Sequence, residues 1–201
     1  MLLEVEDSQL VLVDYQERLI PAMFQGELCL HNAMQLARAA QILGVPAWAT
    51  EQNPSKLGSN PAEMKVLCRQ TLAKMHFSAC EEGLVEWLRP EVKNKISGNA
   101  RSLPKHLQKP VVAANSPSSI VIAGVEAHVC LLQTALDLLE DEFDVWVVTD
   151  ACSSRTERNR DAAYDRLAAA GAELLTTEMV LFEWLRTSEH EHFKDIQALI
   201  K

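Results

Sequence analysis

Short, almost wholly apolar runs alternate along the chain with longer amphipathic stretches, and this alternation restricts the fold more than any other feature. Five or six apolar residues bounded by turn formers suit a buried strand. A longer stretch with apolar positions three and four apart suits a helix lying on a sheet. Residues 9–14 (QLVLVD) read as the first strand. Residues 27–43 follow with Leu28, Ala33, Met34, Leu36, Ala37, Ala40 and Leu43 at helical spacing, and Gly44 is the expected stop. Further strands are expected at 45–50 (VPAWAT), 73–77, 118–124 (SSIVIAG), 143–149 (FDVWVVT) and 172–177. Helices are expected at 82–88, 127–140, 155–170, 178–185 and 193–200, with a loop rich in Asn, Pro, Ser and Gly over 51–61. Strands alternating with helices predict βαβ units. The expected architecture is therefore α/β, a three-layer α/β/α sandwich around a mainly parallel, Rossmann-like sheet of about six strands. Residues 1–201 are expected to form one domain without repeats. Residues 90–119 carry Pro104, Pro110 and Pro117 and read as a surface excursion, with one short helix and an extended piece at Val111 and Val112.

Composition narrows the function classes. Lys and Arg number 19 against 28 Asp and Glu, a net charge of −9. Nucleic acids and anionic membranes need clustered cations, so neither is expected as a partner. No apolar run approaches the ~20 residues of a membrane-spanning helix. The first seven residues lack the basic and apolar regions of a secretory signal. The 5 cysteines show no C-x-x-C spacing. They are expected as reduced thiols in the cytoplasm, not as a disulfide framework or a zinc ribbon.

In an open α/β sheet, ligands bind beyond the carboxyl ends of the strands, where the strand order reverses. With the first strand central and the fourth beside it, that crevice lies between Asp14 and the segment from Gly124 to Cys130. Cys130 falls in the first turn of the following helix, and Lys74 lies near the start of the expected third strand. A thiol attacks as its thiolate. A helix N-terminus and an ammonium both favour that form, so Cys130 is expected to ionise below the free-thiol value of ~8.5. A carboxylate can take the thiol proton and return it to a leaving amine. Each residue type also has a plain structural use: an Asp caps a turn, a Lys is solvated, a Cys in an apolar helix is a small hydrophobe. On spacing alone the chain is an α/β domain with a candidate thiol site.

The local strings go further. Residues 122–130 read I-A-G-V-E-A-H-V-C, which resembles the nucleophile segment of isochorismatase-like cysteine hydrolases. Residues 12–19 (LVDYQERL) resemble that family's first strand with its Asp, and 74–79 (KMHFSA) its Lys segment, K-x-x-F-S-A. Residues 50–54 (TEQNP) and 148–153 (VTDACS) are similar to family loops, and the likeness runs over about 11–180. The resemblance implies a catalytic triad in which Asp14 is the general base, Lys74 stabilises the thiolate and Cys130 forms a covalent adduct. It also implies a cis peptide between Val125 and Glu126, with the N–H groups of Glu126 and Cys130 forming an oxyanion hole. Gln52, Phe77, Val125 and His128 are candidates to line the pocket. A homo-oligomer is expected, because the family commonly assembles and the apolar helices and 4 tryptophans exceed what one small sandwich needs.

Two departures shape the reading. Nicotinamidases of this superfamily carry an Asp-x-His metal motif after the second strand, and TEQNP has no His. No metal and no organic cofactor are expected. Isochorismate-cleaving members lack the nucleophilic Cys, so the family name does not give the substrate. The expected activity is hydrolysis of a C–N bond in a small amide-like substrate through a thioester at Cys130. The rival expectation is an oligomeric binding or scaffolding protein with a vestigial thiol site.

Overall fold

The computed structural model describes residues 2–90 and 117–201. Among the described residues six strands form one parallel sheet: β1 (Ser8–Val13), β2 (Ala47–Gln52), β3 (Gln70–Lys74), β4 (Ser119–Gly124), β5 (Asp144–Val148) and β6 (Glu173–Leu175). Their order is β3-β2-β1-β4-β5-β6. The helices among the described residues are α1 (Gly26–Leu43), α2 (Pro54–Leu57), α3 (Ala62–Leu67), α4 (Leu84–Leu88), α5 (Leu132–Glu140), α6 (Glu157–Ala170), α7 (Thr177–Leu185) and α8 (Phe193–Leu199). The central strands β1 and β4 are buried at every position. That is why Leu10–Val13 and Ile120–Ala123 are apolar without alternation.

The chain steps outward from β1 through β2 to β3, then returns to β4 and steps outward the other way. Right-handed crossovers then place α1 and α5 on opposite faces of the sheet. Helices α3, α7 and α8 pack on α1, and α6 packs on α5, giving the three-layer sandwich. Gly44 ends α1 in the left-handed conformation (φ 75°), where its N–H reaches the carbonyls of Ala40 and Gln41. No described helix is long and apolar enough to cross a membrane.

Several elements differ from expectation. The third strand spans Gln70–Lys74, so Lys74 is its last residue and not near its start. This strand lies at the sheet edge and is half exposed, so it lacks a continuous apolar run. The expected 51–61 loop contains the end of β2 and the short α2, which begins with Pro54 at its first position. The expected helix over 127–140 opens with a π-helical turn, Ala127–Leu131, before α5 proper. The short helix and extended piece expected within 90–119 fall almost wholly in 91–116, outside the described residues.

Register then determines what meets at the carboxyl edge. Val13 pairs with Thr50 on one side and Gly124 on the other, while Gln52 pairs with Lys74. A Cβ at Gly124 would come within 2.5 Å of Val13 Cβ, so glycine is what lets the end of β4 close on the end of β1.

Candidate active site

Asp14 is the first residue after β1 and turns back with a φ of 56°, a conformation Asp tolerates better than most residues. Its N–H donates to the Thr50 carbonyl at 3.2 Å. The carboxylate is fully buried. Oδ1 accepts from Thr50 Oγ1 at 2.7 Å and Oδ2 from Lys74 Nζ at 2.8 Å. Neither partner of this ion pair exposes any side-chain surface. Burial of both charges is costly unless every lone pair and proton finds a partner. Lys74 meets that requirement: its ammonium also donates to Gln52 Oε1 at 2.7 Å and to the Phe77 carbonyl at 2.9 Å.

Gln52 ends β2 between the other two strands. Its N–H donates to Gln16 Oε1 at 2.7 Å, and Gln16 Nε2 donates back to the Gln52 carbonyl at 3.0 Å. Its own Nε2 donates to the Met75 carbonyl at 2.8 Å. Cys130, on the π-helical turn, brings its Sγ to 3.9 Å from Gln52 Oε1. Asp14, Lys74, Gln52 and Cys130 therefore sit together at the carboxyl edge, and all are buried.

The thiol departs from expectation. Burial pushes Cys130 up to about 12; the Asp14 carboxylate pushes the same way, and the Lys74 ammonium pulls back by less. The resting sulfur is a neutral thiol near pH 7. Helix-end and ammonium effects lose here because the sulfur is out of water and the ammonium already serves a carboxylate. Burial also pushes Cys29, Cys68 and Cys80 up to about 12 and raises Cys152, so resting acidity does not single out Cys130.

The remaining candidates divide. The Val125–Glu126 peptide is cis, and Val125 is fully buried with its N–H on the Val13 carbonyl at 2.9 Å. Among the described residues the Glu126 N–H has no acceptor. Its carboxylate accepts from Arg155 Nε at 2.8 Å. His128 is engaged by Ser154 Oγ at 3.0 Å and Asn159 Nδ2 at 3.4 Å, and shares no partner with Asp14, Lys74 or Cys130. Phe77 serves the site through its carbonyl, while its ring is exposed beside a surface cavity of about 650 Å³ shared with Met75, Gln133 and Leu136. A separate cavity of about 420 Å³, lined by Cys29, Asp150, Cys152, Arg160 and Tyr164, contains none of Asp14, Lys74 and Cys130.

Sequence reasoning missed Thr50 and Gln16. Thr50 is hidden inside a strand pattern, and Gln16 sits in a loop where no periodicity marks a buried polar group. Among the described residues no three His, Cys, Asp or Glu side chains are grouped to hold a metal ion.

The family model of the isochorismatase domain matches residues 8–179. The chain is 33% identical over 198 residues to isochorismatase domain-containing protein 2 of Danio rerio, covering 98% of this chain and 89% of that protein. The solved structure of MAR1 ribonuclease from Caenorhabditis elegans superposes with a TM-score of 0.82 at 29% identity, covering 100% of this chain and 92% of that one. YcaC from Pseudomonas aeruginosa, solved with hexane-2,5-diol and covalent acrylamide, gives a TM-score of 0.80 at 26% identity, covering 98% of this chain and 91% of that one.

Proposed function

The chain belongs to the isochorismatase family and is a hydrolase of that family, and from this premise we propose a metal-independent cysteine hydrolase that cleaves a C–N bond in a small amide-like substrate. Asp14, Lys74 and Cys130 are its proposed catalytic groups. The observation that carries the reading is the buried Lys74–Asp14 ion pair, joined to the Cys130 thiol through Gln52 Oε1.

The chemistry starts from a neutral thiol, so a base must act as the bond forms. Asp14 accepts the Cys130 proton while the sulfur attacks the substrate carbonyl carbon. Lys74 supplies positive charge beside the developing thiolate. The carbonyl oxygen becomes an oxyanion, to which the backbone N–H groups of Glu126 and Cys130 donate; the Glu126 N–H, without an acceptor among the described residues, supports that role. The tetrahedral adduct collapses, and the amine departs with the proton from Asp14. Water then attacks the thioester, giving up its proton to Asp14. The acid leaves and Cys130 regains its hydrogen.

We assign residues 1–201 to one hydrolase domain that works as a homo-oligomer in the cytoplasm. Exposed Met75, Phe77, Met179 and Phe182 support the assembly, and five free thiols support a reducing compartment. Covalent acrylamide in the Pseudomonas aeruginosa YcaC structure accords with a nucleophile in this fold. A net charge of −9 disfavours a polyanionic ribonuclease substrate.

A screen of small amides and esters, read by amine release and by mass spectrometry of the trapped protein, tests this. A substrate should leave an acyl group on Cys130, and Cys130→Ala should lose turnover. Unchanged turnover in Cys130→Ala would overturn the reading. A well-folded protein that acylates nowhere would favour the scaffolding alternative.

A further inference from the structure

Gln52 makes contacts that a residue lining a pocket does not need. Its side-chain oxygen lies 2.7 Å from the Lys74 ammonium and 3.9 Å from the Cys130 sulfur. The amide orientation is set by its neighbours: Nε2 faces the Met75 carbonyl at 2.8 Å, and reversing the group would point its N–H donors at an ammonium. Gln16 clamps the Gln52 main chain from both sides and donates as well to the Gly58 carbonyl at 2.6 Å. The oxygen is thus held in place by the Lys74 ammonium, the Met75 carbonyl and both ends of the Gln16 amide.

The Lys74 ammonium has three protons. They go to Asp14 Oδ2, Gln52 Oε1 and the Phe77 carbonyl, with the His76 carbonyl farther off at 3.4 Å. These oxygens compete with the Cys130 sulfur for the same protons. The groups facing Cys130 are thus a carboxylate and ammonium that pair with each other, and an amide oxygen that can accept an S–H but repels a thiolate.

We propose that Gln52 is a positioning residue, whose side-chain oxygen directs the Cys130 S–H and holds one Lys74 proton away from the sulfur, so that the thiol stays protonated until a substrate carbonyl arrives. When Asp14 takes the thiol proton, the S–H bond breaks and an O–H bond forms on the carboxylate. The Lys74 proton held by Gln52 can then turn to the sulfur. This role rests on the cysteine-hydrolase reading for what the thiol does, but its test does not depend on a substrate.

The test is the rate of Cys130 modification by iodoacetamide in the full chain, followed by peptide mass spectrometry from pH 6 to 11. Gln52→Leu leaves the ammonium freer to face the sulfur, so labelling should be about tenfold faster at each pH from 8 to 10, the effect of a thiol more acidic by about one pH unit. Gln52→Glu has the same shape and puts negative charge beside the sulfur, so labelling should slow by a similar factor. In a Lys74→Met background, Gln52→Leu should no longer accelerate labelling, because no ammonium remains to be released. A merely structural role would loosen the site and move both Gln52 variants the same way. Should Gln52→Leu not fold, the isosteric Gln52→Glu still decides: labelling at or above the wild-type rate overturns the proposal. Persistent amide turnover in Cys130→Ala would instead remove the cysteine-hydrolase reading and leave this result standing.

Discussion

Lys74 and Asp14 meet across an intervening strand, Nζ to Oδ2 at 2.8 Å, with no solvent on either side chain. One comes from the end of β3 at the sheet edge, the other from the end of β1 at its centre, and β2 runs between them. Only a long side chain lying over the end of β2 can make the contact. The pair therefore joins the edge of the sheet to its centre, at the place where the order of strands reverses.

Removing one partner leaves the other charge buried and alone. Lys74→Met should destabilise the fold by about 3–5 kcal/mol, whereas pairing it with Asp14→Asn, which removes the unpaired charge and tolerates the left-handed φ, should recover much of the loss. Urea unfolding of the single and double variants measures both. A Lys74→Met protein as stable as wild type would show that the ammonium is hydrated and not buried.

Thr50 supports the same carboxylate from the other oxygen, 2.7 Å away. Thr50→Val keeps the shape and removes the donor. The cost should be about 1.5–3 kcal/mol, the range for a hydrogen bond to a charged group. Turnover should fall together with stability, since a carboxylate short of one hydrogen bond is free to rotate. An unaltered melting temperature would contradict the contact.

The thiols set a stability limit in alkali. Cys29, Cys68, Cys80 and Cys130 are all pushed up to about 12 by burial, above the ordinary thiol range. In the unfolded chain they ionise near ~8.5. Stability from these groups is complete below that pH, because both states are then protonated. It is lost progressively as pH rises towards 12, since only the unfolded state releases protons. Denaturation midpoints at pH 8, 9.5 and 10.5 should fall in that order. A flat profile would mean that the thiols are not desolvated.

The fold was legible because its central strands are buried on both faces and so write themselves as unbroken apolar runs. Asp14 and Cys130 were readable from where such runs end, at the carboxyl edge where crevices form. The edge strand was harder: half-exposed β3 mixes Gln70, Thr71 and Leu72, so its end at Lys74 was missed, and Lys74 itself stood out only through the resemblance. The acidity of Cys130 was misjudged for a physical reason. Sequence places an ammonium near the thiol but cannot say that its protons are already given to Asp14, Gln52 and Phe77. Gln16 and Thr50 escaped because buried polar side chains carry no period.

Asp14 offers the sharpest separation of a base from a structural cap. Its negative charge raises the Cys130 thiol, and it occupies one proton of Lys74. Asp14→Asn removes the charge while keeping a side chain of the same shape, so the freed ammonium can favour the thiolate. Modification of Cys130 by iodoacetamide at pH 8 should then quicken by about tenfold, one unit of pKa. Turnover should move the other way and fall by about 10²–10⁴-fold, because no group remains to take the thiol proton or to protonate the leaving amine. A cap that merely held the loop would slow both or leave both unchanged. Faster labelling with slower turnover assigns Asp14 the base; a variant that labels slowly and turns over at the wild-type rate would sink the mechanism.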